Sequence, residues 1–203
     1  MNDTNHNQMT ERFLELTSEG MLYFSHREQF MDWVTKSLAK QLQASHVSLA
    51  LLDRDHANYP IRYSSGEHKL PLHLLALEQE TPVMKWFLSD MKELQFIRRT
   101  NRIVVRKELN SPTHMHPFFR SLERDLDLHH TEVCVKIQTP QGIAGCLLVG
   151  IRKNLTPYSN TELTFFQILS NQIALEIEKE QLHTNAQRSK GQSDRGRLGA
   201  CGH

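Results

Sequence analysis

Histidine stands out among the residues able to do chemistry, with 12 in a chain of 203. His114-Met115-His116 and His129-His130 form two close groups. Imidazole is the commonest transition-metal ligand, so two such groups offer a nitrogen donor set. No carboxylate or cysteine completes a recognised ligand spacing around them. The expectation is therefore surface or capping histidines, and no metal. Cys134 and Cys146 are nearly symmetric about Pro140, which puts them opposite one another across a hairpin. Cross-strand neighbours are close enough to form a redox pair. The preferred reading is two buried cysteines acting as small hydrophobes, since free Cys is among the most buried types. Arg98, Arg99, Arg102, Arg106 and Lys107 form a basic cluster able to hold an anion through charge-assisted hydrogen bonds. A solvated loop is the plainer account of it. No Ser/His/Asp order, phosphate-binding glycine loop or HxxxH zinc motif is present.

Composition bounds the function classes. Lys and Arg sum to 24 and Asp and Glu to 23, so the net charge is near zero. That balance gives no global attraction to nucleic acid or anionic membrane. Arg188, Lys190, Arg195 and Arg197 are interrupted by Asp194 and lack an aromatic neighbour, so nucleic-acid binding is not expected. No apolar run approaches the ~20 residues of a spanning helix. The first residues lack the basic and apolar regions of a signal peptide. Three cysteines make no disulfide framework, and a reducing cytoplasm is the expected compartment.

The elements that must position these residues are clearest in the last third of the chain. From Thr131 to Thr139 the residues alternate, with Val133, Val135 and Ile137 on one face and Glu132, Cys134 and Lys136 on the other. A period of two with one polar face predicts a half-buried strand. Pro140-Gln141-Gly142 is turn chemistry. Ile143 to Ile151 is apolar at nearly every position, which predicts a central strand buried on both faces. Ser159 to Glu162 reads as a capping box opening a long helix. Its inner stripe holds Phe166, Leu169, Ile173 and Ile177, and Phe165, Ile168 and Leu175 widen it. So broad a stripe leaves one edge to meet a second helix.

Upstream, a short helix is expected near residues 11–20 and a second capping box at Ser25 to Glu28. The helix it opens runs to about Ala44, with Phe30, Met31, Val34, Leu38 and Leu42 at helical spacing. Strands follow at His46–Asp53 and Tyr59–Ser65. Leu70–Leu77 reads as a loop or short helix because it carries Pro71 and His73. A helix with Pro at its first position starts at Thr81-Pro82, and Val83, Trp86 and Phe87 share one of its faces. Short strands are expected at Leu94–Ile97 and Ile103–Val105, and a helix at Phe118–Leu128. After Leu182 the text is polar and should be disordered. The division is thus 1–24 polar segment and short helix, 25–183 domain, 184–203 tail.

This order, with GIAGCLLVG at 142–150, YSNTEL at 158–163 and IALEI at 173–177, resembles a GAF domain over about Ser25 to Leu182. PAS domains usually lack the two long flanking helices. The resemblance implies an α+β fold. A central antiparallel sheet would carry the N- and C-terminal helices on one face and a loop-and-helix cap on the other. It implies a sensory or regulatory signal-transduction module that binds a small molecule under the cap. The residues then placed at the ligand are Trp86, Arg98, Arg99, His114, His116 and His129. Phe30, Val34, Phe165, Ile168 and Leu175 would serve a homodimer bundle of the terminal helices. The output would be a kinase or transcription-regulator domain, so the sequence is either a fragment of a longer protein or a stand-alone regulator. No cysteine precedes Cys134, which disfavours a covalent bilin, and no cyclic-nucleotide signature can be placed. No cofactor is therefore assigned. The alternatives are a ligand-free GAF used for dimerisation or protein interaction, and a thiol-dependent redox enzyme of the free methionine sulfoxide reductase type. The cap has no cysteine for the second, so no enzyme is expected.

Overall fold

The computed structural model describes residues 11, 15, 18–20, 26–88, 102–109 and 117–198, with side chains through residue 184 and at 186. Arg27–Leu42 forms helix α1, Val47–Leu51 strand β1, Asn58–Ser65 β2 and Ala76–Glu78 β3. Pro82–Leu88 forms α2, Ile103–Val105 β4, Arg106–Leu109 α3 and Pro117–Leu128 α4. Thr131–Thr139 (β5), Gly142–Gly150 (β6) and Asn160–Leu198 (α5) complete the order. The described strands make one six-stranded sheet, β3-β2-β1-β6-β5-β4, and every pairing is antiparallel.

The sheet divides two cores. On one face α1 and α5 bring Phe30, Met31, Val34, Phe166, Leu169 and Ile173 against Val47, Leu49, Val133, Val135 and Val149. On the other, α2, α3 and α4 bring Met84, Phe87, Leu109, Phe119 and Leu122 against Ala50, Ile61, Cys134, Cys146 and Leu148. The fold class is α+β, with the terminal helices on one face and the cap on the other. No described helix is long and apolar enough to cross a membrane.

β6 is buried along nearly its whole length, as its apolar run requires. Gly145 is where β1 approaches most closely, since a Cβ there would stand 2.3 Å from the Ala50 carbonyl oxygen. The capping box at the start of α5 forms: Ser159 N–H donates to Glu162 Oε2 at 2.7 Å, and Glu162 N–H donates to Ser159 Oγ at 3.3 Å. Arg152 reaches the other oxygen of Glu162 and stacks 4.5 Å from the Tyr158 ring centroid.

Several expectations are corrected. β5 is not half-exposed, because β4 and β6 flank it and α4 lies over its polar face. Glu132 and Lys136 are buried there, and Glu132 accepts from Arg106 Nε at 3.1 Å. The N-cap of α1 is His26, with no side-chain capping bond, and Ser25 lies outside the described residues. β3 occupies Ala76–Glu78, overlapping the end of the stretch Leu70–Leu77 read as loop or helix. It is a three-residue edge strand, too short for its alternation to show beside Pro71. The helix α5 continues to Leu198, where a disordered tail from residue 184 was expected. The segment has no proline to stop the helix, and Gly191 and Gly196 weaken it without ending it. The strand expected at Leu94–Ile97 lies outside the described residues.

Candidate functional site

The cap side of the sheet is held together by aromatic packing and by side chains bonded to backbone. Trp86 on α2 stacks on Phe118 of α4 at 6.4 Å between centroids and meets Phe119 edge-on at 6.1 Å. Asp125 sits in the apolar stripe of α4 and is nearly fully buried. Its Oδ2 accepts from Val83 N–H at 3.0 Å, which ties α4 to the start of α2. This bond satisfies an otherwise orphaned helix-terminal donor. One turn on, His129 is buried and its Nδ1–H donates to the Asp125 carbonyl at 2.7 Å. A carbonyl only accepts, so Nδ1 carries the proton.

A second polar line crosses the same side of the sheet. His46 Nε2–H donates to the His130 carbonyl at 3.2 Å, leaving Nδ1 as acceptor. Ser48 Oγ–H donates to that Nδ1 at 3.0 Å. Ser64 then donates to Ser48 at 2.8 Å and accepts from Leu70 N–H at 2.8 Å. The chain has one direction because the His130 carbonyl fixes its end. Burial lowers His46 from 6.5 to about 4, outweighing the opposing bonds to the backbone of His130 and His129. The ring is neutral at pH 7. The line joins β1, the β2 exit and the corner before β5, so it sets where the cap begins and ends.

The expected ligand residues divide. Trp86 and His129 lie in the cap, the first packed among aromatics and the second bonded to backbone. Arg98, Arg99, His114 and His116 lie outside the described residues. Of the basic cluster, Arg106 pairs with Asp127 at 2.7 Å and with Glu132 at 3.1 Å, so its charge is spent within the fold. Among the described residues no group of His, Cys, Asp or Glu is placed to hold a metal.

The cysteines are not opposite one another. Cys134 faces Leu148 and Cys146 faces Lys136, because the turn is centred between Pro140 and Gln141 and a bulge after Ile137 shifts the register by one residue more, leaving the cysteines diagonal to each other. Both thiols are buried, and Cys146 Sγ lies 3.8 Å from Met84 Sδ. Burial pushes the Cys134 thiol well above its ordinary range, with Cys146 adding to the rise. That is the reverse of what a nucleophilic thiolate needs.

The residues assigned to the dimer bundle separate as well. Phe30 and Val34 are fully buried against the sheet and Phe165 is nearly so, because the inner stripe of each helix is consumed by its own core. Within one copy of the chain they are core residues. Ile168 and Leu175 face outward, 49% and 62% exposed. Sequence reading missed His46, Ser48, Ser64 and Asp125. Two signals were there: a serine amid the apolar run VSLAL, and an aspartate in helical register with Leu122 and His129.

No protein-family sequence model matches the chain, and no curated protein matches it. Solved structures do. The GAF domain of a phosphoenolpyruvate-protein phosphotransferase from Coxiella burnetii aligns with a TM-score of 0.57 and 16% identity, covering 85% of this chain and 96% of that one. The phycoerythrobilin-bound GAF domain of a cyanobacterial phytochrome aligns at 0.59 and 17%, covering 85% and 97%. A methyl-accepting chemotaxis protein aligns at 0.57 and 13%, covering 82% and 97%. At such identities the likeness speaks for architecture alone, and it agrees with the sheet and the two-sided helical covering described above: the chain has the GAF fold.

Proposed function

We propose that residues 25–183 form a cytoplasmic sensory or regulatory module that acts as a homodimer and signals through α1 and α5. The observation that carries this reading is the outer stripe of α5. Ile168, Leu175 and Leu182 recur at every seventh position and are 49%, 62% and 61% exposed. Exposed apolar side chains on one edge of a helix whose inner stripe is already packed suit a second helix of the same kind. A ligand that prefers one conformation of the cap would shift the population of helix arrangements. The module would then pass that shift to an output kinase or transcription-regulator domain. The structural neighbours belong to signalling proteins, which supports the reading. Trp86, Arg98, Arg99, His114, His116 and His129 remain the proposed ligand set.

A second reading is favoured by the filling of the cap side. Met84, Phe87, Phe119, Leu122 and Leu148 pack there against one another. A module used only for dimerisation needs no more than that. Native mass spectrometry of protein from its own host, repeated under denaturing conditions, separates the two. A dimer carrying an adduct that denaturation removes is the expected result. A bare dimer gives the second reading, and a bare monomer overturns both.

A further inference from the structure

A cavity of about 430 Å³ opens at the end of the sheet, away from the cap helices. Its walls come from the exit of β1, the start of β6, the end of the apolar part of α5, and Arg27 of α1. The floor is apolar: Leu51, Ala144 and Ile177 come from the terminal-helix core, and Ile143 from the cap-side core. The rim is charged. Arg27 is paired to Glu180, which cancels one charge, while its Nε is buried and has no hydrogen-bond partner among the described residues. Arg54 also lines the cavity and is exposed, with no ion-pair or hydrogen-bond partner among the described residues. The balance over this apolar floor is one uncompensated guanidinium.

We propose that this cavity is a binding site for a small amphipathic monocarboxylate, its carboxylate on Arg54 and its aliphatic or aryl body on Leu51, Ile143 and Ile177. The volume lies in the range of small-molecule sites, and the lining is divided about evenly between polar and apolar surface, as an amphipathic occupant requires. A planar guanidinium matches a carboxylate in two-point geometry. One free positive charge selects a monoanion, and the apolar floor selects against ions that keep their water. The site is separate from the cap. It touches α1 through Arg27 and α5 through Ile177 and Glu180, so its occupant contacts both terminal helices directly.

The test is titration of the full chain with hexanoate, followed by ¹H–¹⁵N spectra and calorimetry, with hexan-1-ol and hexylamine as matched probes. Hexanoate should shift the amides of Leu52, Gly142 and Ala144 saturably at one site per chain. It should leave Val83 and Leu122 of the cap unmoved. Hexan-1-ol and hexylamine should bind at least roughly tenfold more weakly, the size expected for losing one charge-assisted contact. Arg54→Gln is exposed and should leave the spectrum folded while weakening hexanoate by a similar factor. Unsaturable shifts, equal affinity for hexan-1-ol, or full affinity in the Arg54→Gln protein would each overturn the site. Saturable shifts confined to the cap would also overturn it while favouring a cap ligand, so the two readings fail separately.

Discussion

The two faces of one sheet are stabilised in different ways. On the terminal-helix face, two long helices lay apolar stripes on β1, β5 and β6, and the core is mainly aliphatic and aromatic, with Thr35 and Ser170 buried beside it. On the cap face, short helices joined by loops are fixed by Asp125, His129, His46 and Ser64 bonding to backbone. Burial alone is non-directional and tolerates small shifts. A hydrogen bond from a side chain to one particular amide does not. The helix face thus supplies stability, while the cap face supplies a defined shape that ionisation can undo.

Truncating one aromatic side chain in each core contrasts the faces directly. Phe166 and Phe119 are both under 2% exposed, one in each core. Phe166→Ala should lower global stability by roughly 3–5 kcal/mol, as large-to-small core changes do. Urea unfolding should show it, and exchange should rise at all slowly exchanging amides. Phe119→Ala creates a comparable cavity in a region held by shorter elements. Its cost should show mainly as faster exchange in α2 and α4, through local opening. If Phe119→Ala speeds exchange in β1 and β6 as much as in α4, the two faces are one cooperative unit and the contrast is wrong.

Acid should act on the cap face first. His46 has an ordinary value of 6.5 and sits at about 4 in the fold. The fold therefore prefers the neutral ring. Its contribution is complete above pH 6.5, is lost as pH falls from 6.5 towards 4, and changes no further below. The difference corresponds to about 3 kcal/mol. His46→Gln should flatten that stretch of the stability–pH curve. If the gap between wild type and variant is the same at pH 7 and pH 4.5, His46 is not the group responsible.

Gly145 lies in the sheet itself and should affect both faces at once. A Cβ there would meet the Ala50 carbonyl oxygen at 2.3 Å. Ala50 belongs to the cap-side core and neighbouring Leu51 to the other. Gly145→Ala should cost roughly 1–3 kcal/mol, the usual range for overpacking. Thermal unfolding reads the loss, and exchange should rise on β1 from both sides. A change felt only under the cap would mean that the sheet does not couple them.

The same contrast decides what was legible in the chain. Helix-face elements announce themselves by period: Phe30 to Leu42 and Phe166 to Ile177 keep helical spacing, and Val133, Val135 and Ile137 keep strand spacing. The capping box at Ser159 was legible because its two bonds are local. Cap-side geometry was not, because its bonds join distant residues: Asp125 to Val83, His46 to His130, Ser64 to Leu70. The bulge after Ile137 left no mark in the sequence either, and it makes Cys134 and Cys146 diagonal neighbours rather than a facing pair. Burial of Phe30 and Val34 was also hidden. A stripe states that a helix has an apolar face, and only the packed fold states which edge of it remains exposed.

The smallest expected change in folding stability comes from that remaining edge, and it sharpens the comparison most. Leu175 on α5 is 62% exposed and Leu128 at the end of α4 is 74% exposed. Each is a large apolar side chain in water, so a change to Glu should alter monomer stability by less than about 0.5 kcal/mol. Association should distinguish them. In a two-fold dimer Leu175→Glu brings two like charges to the seam between copies of α5, and the dimer should weaken at least roughly tenfold. Leu128→Glu lies on the cap side and should leave it unchanged. Light scattering across a dilution series reads both. A dimer that survives Leu175→Glu, or that Leu128→Glu also breaks, would place the contact elsewhere than on the outer stripe of α5. A dimer broken by the first change alone would assign association to the helix face and leave the cap free to respond to acid or ligand.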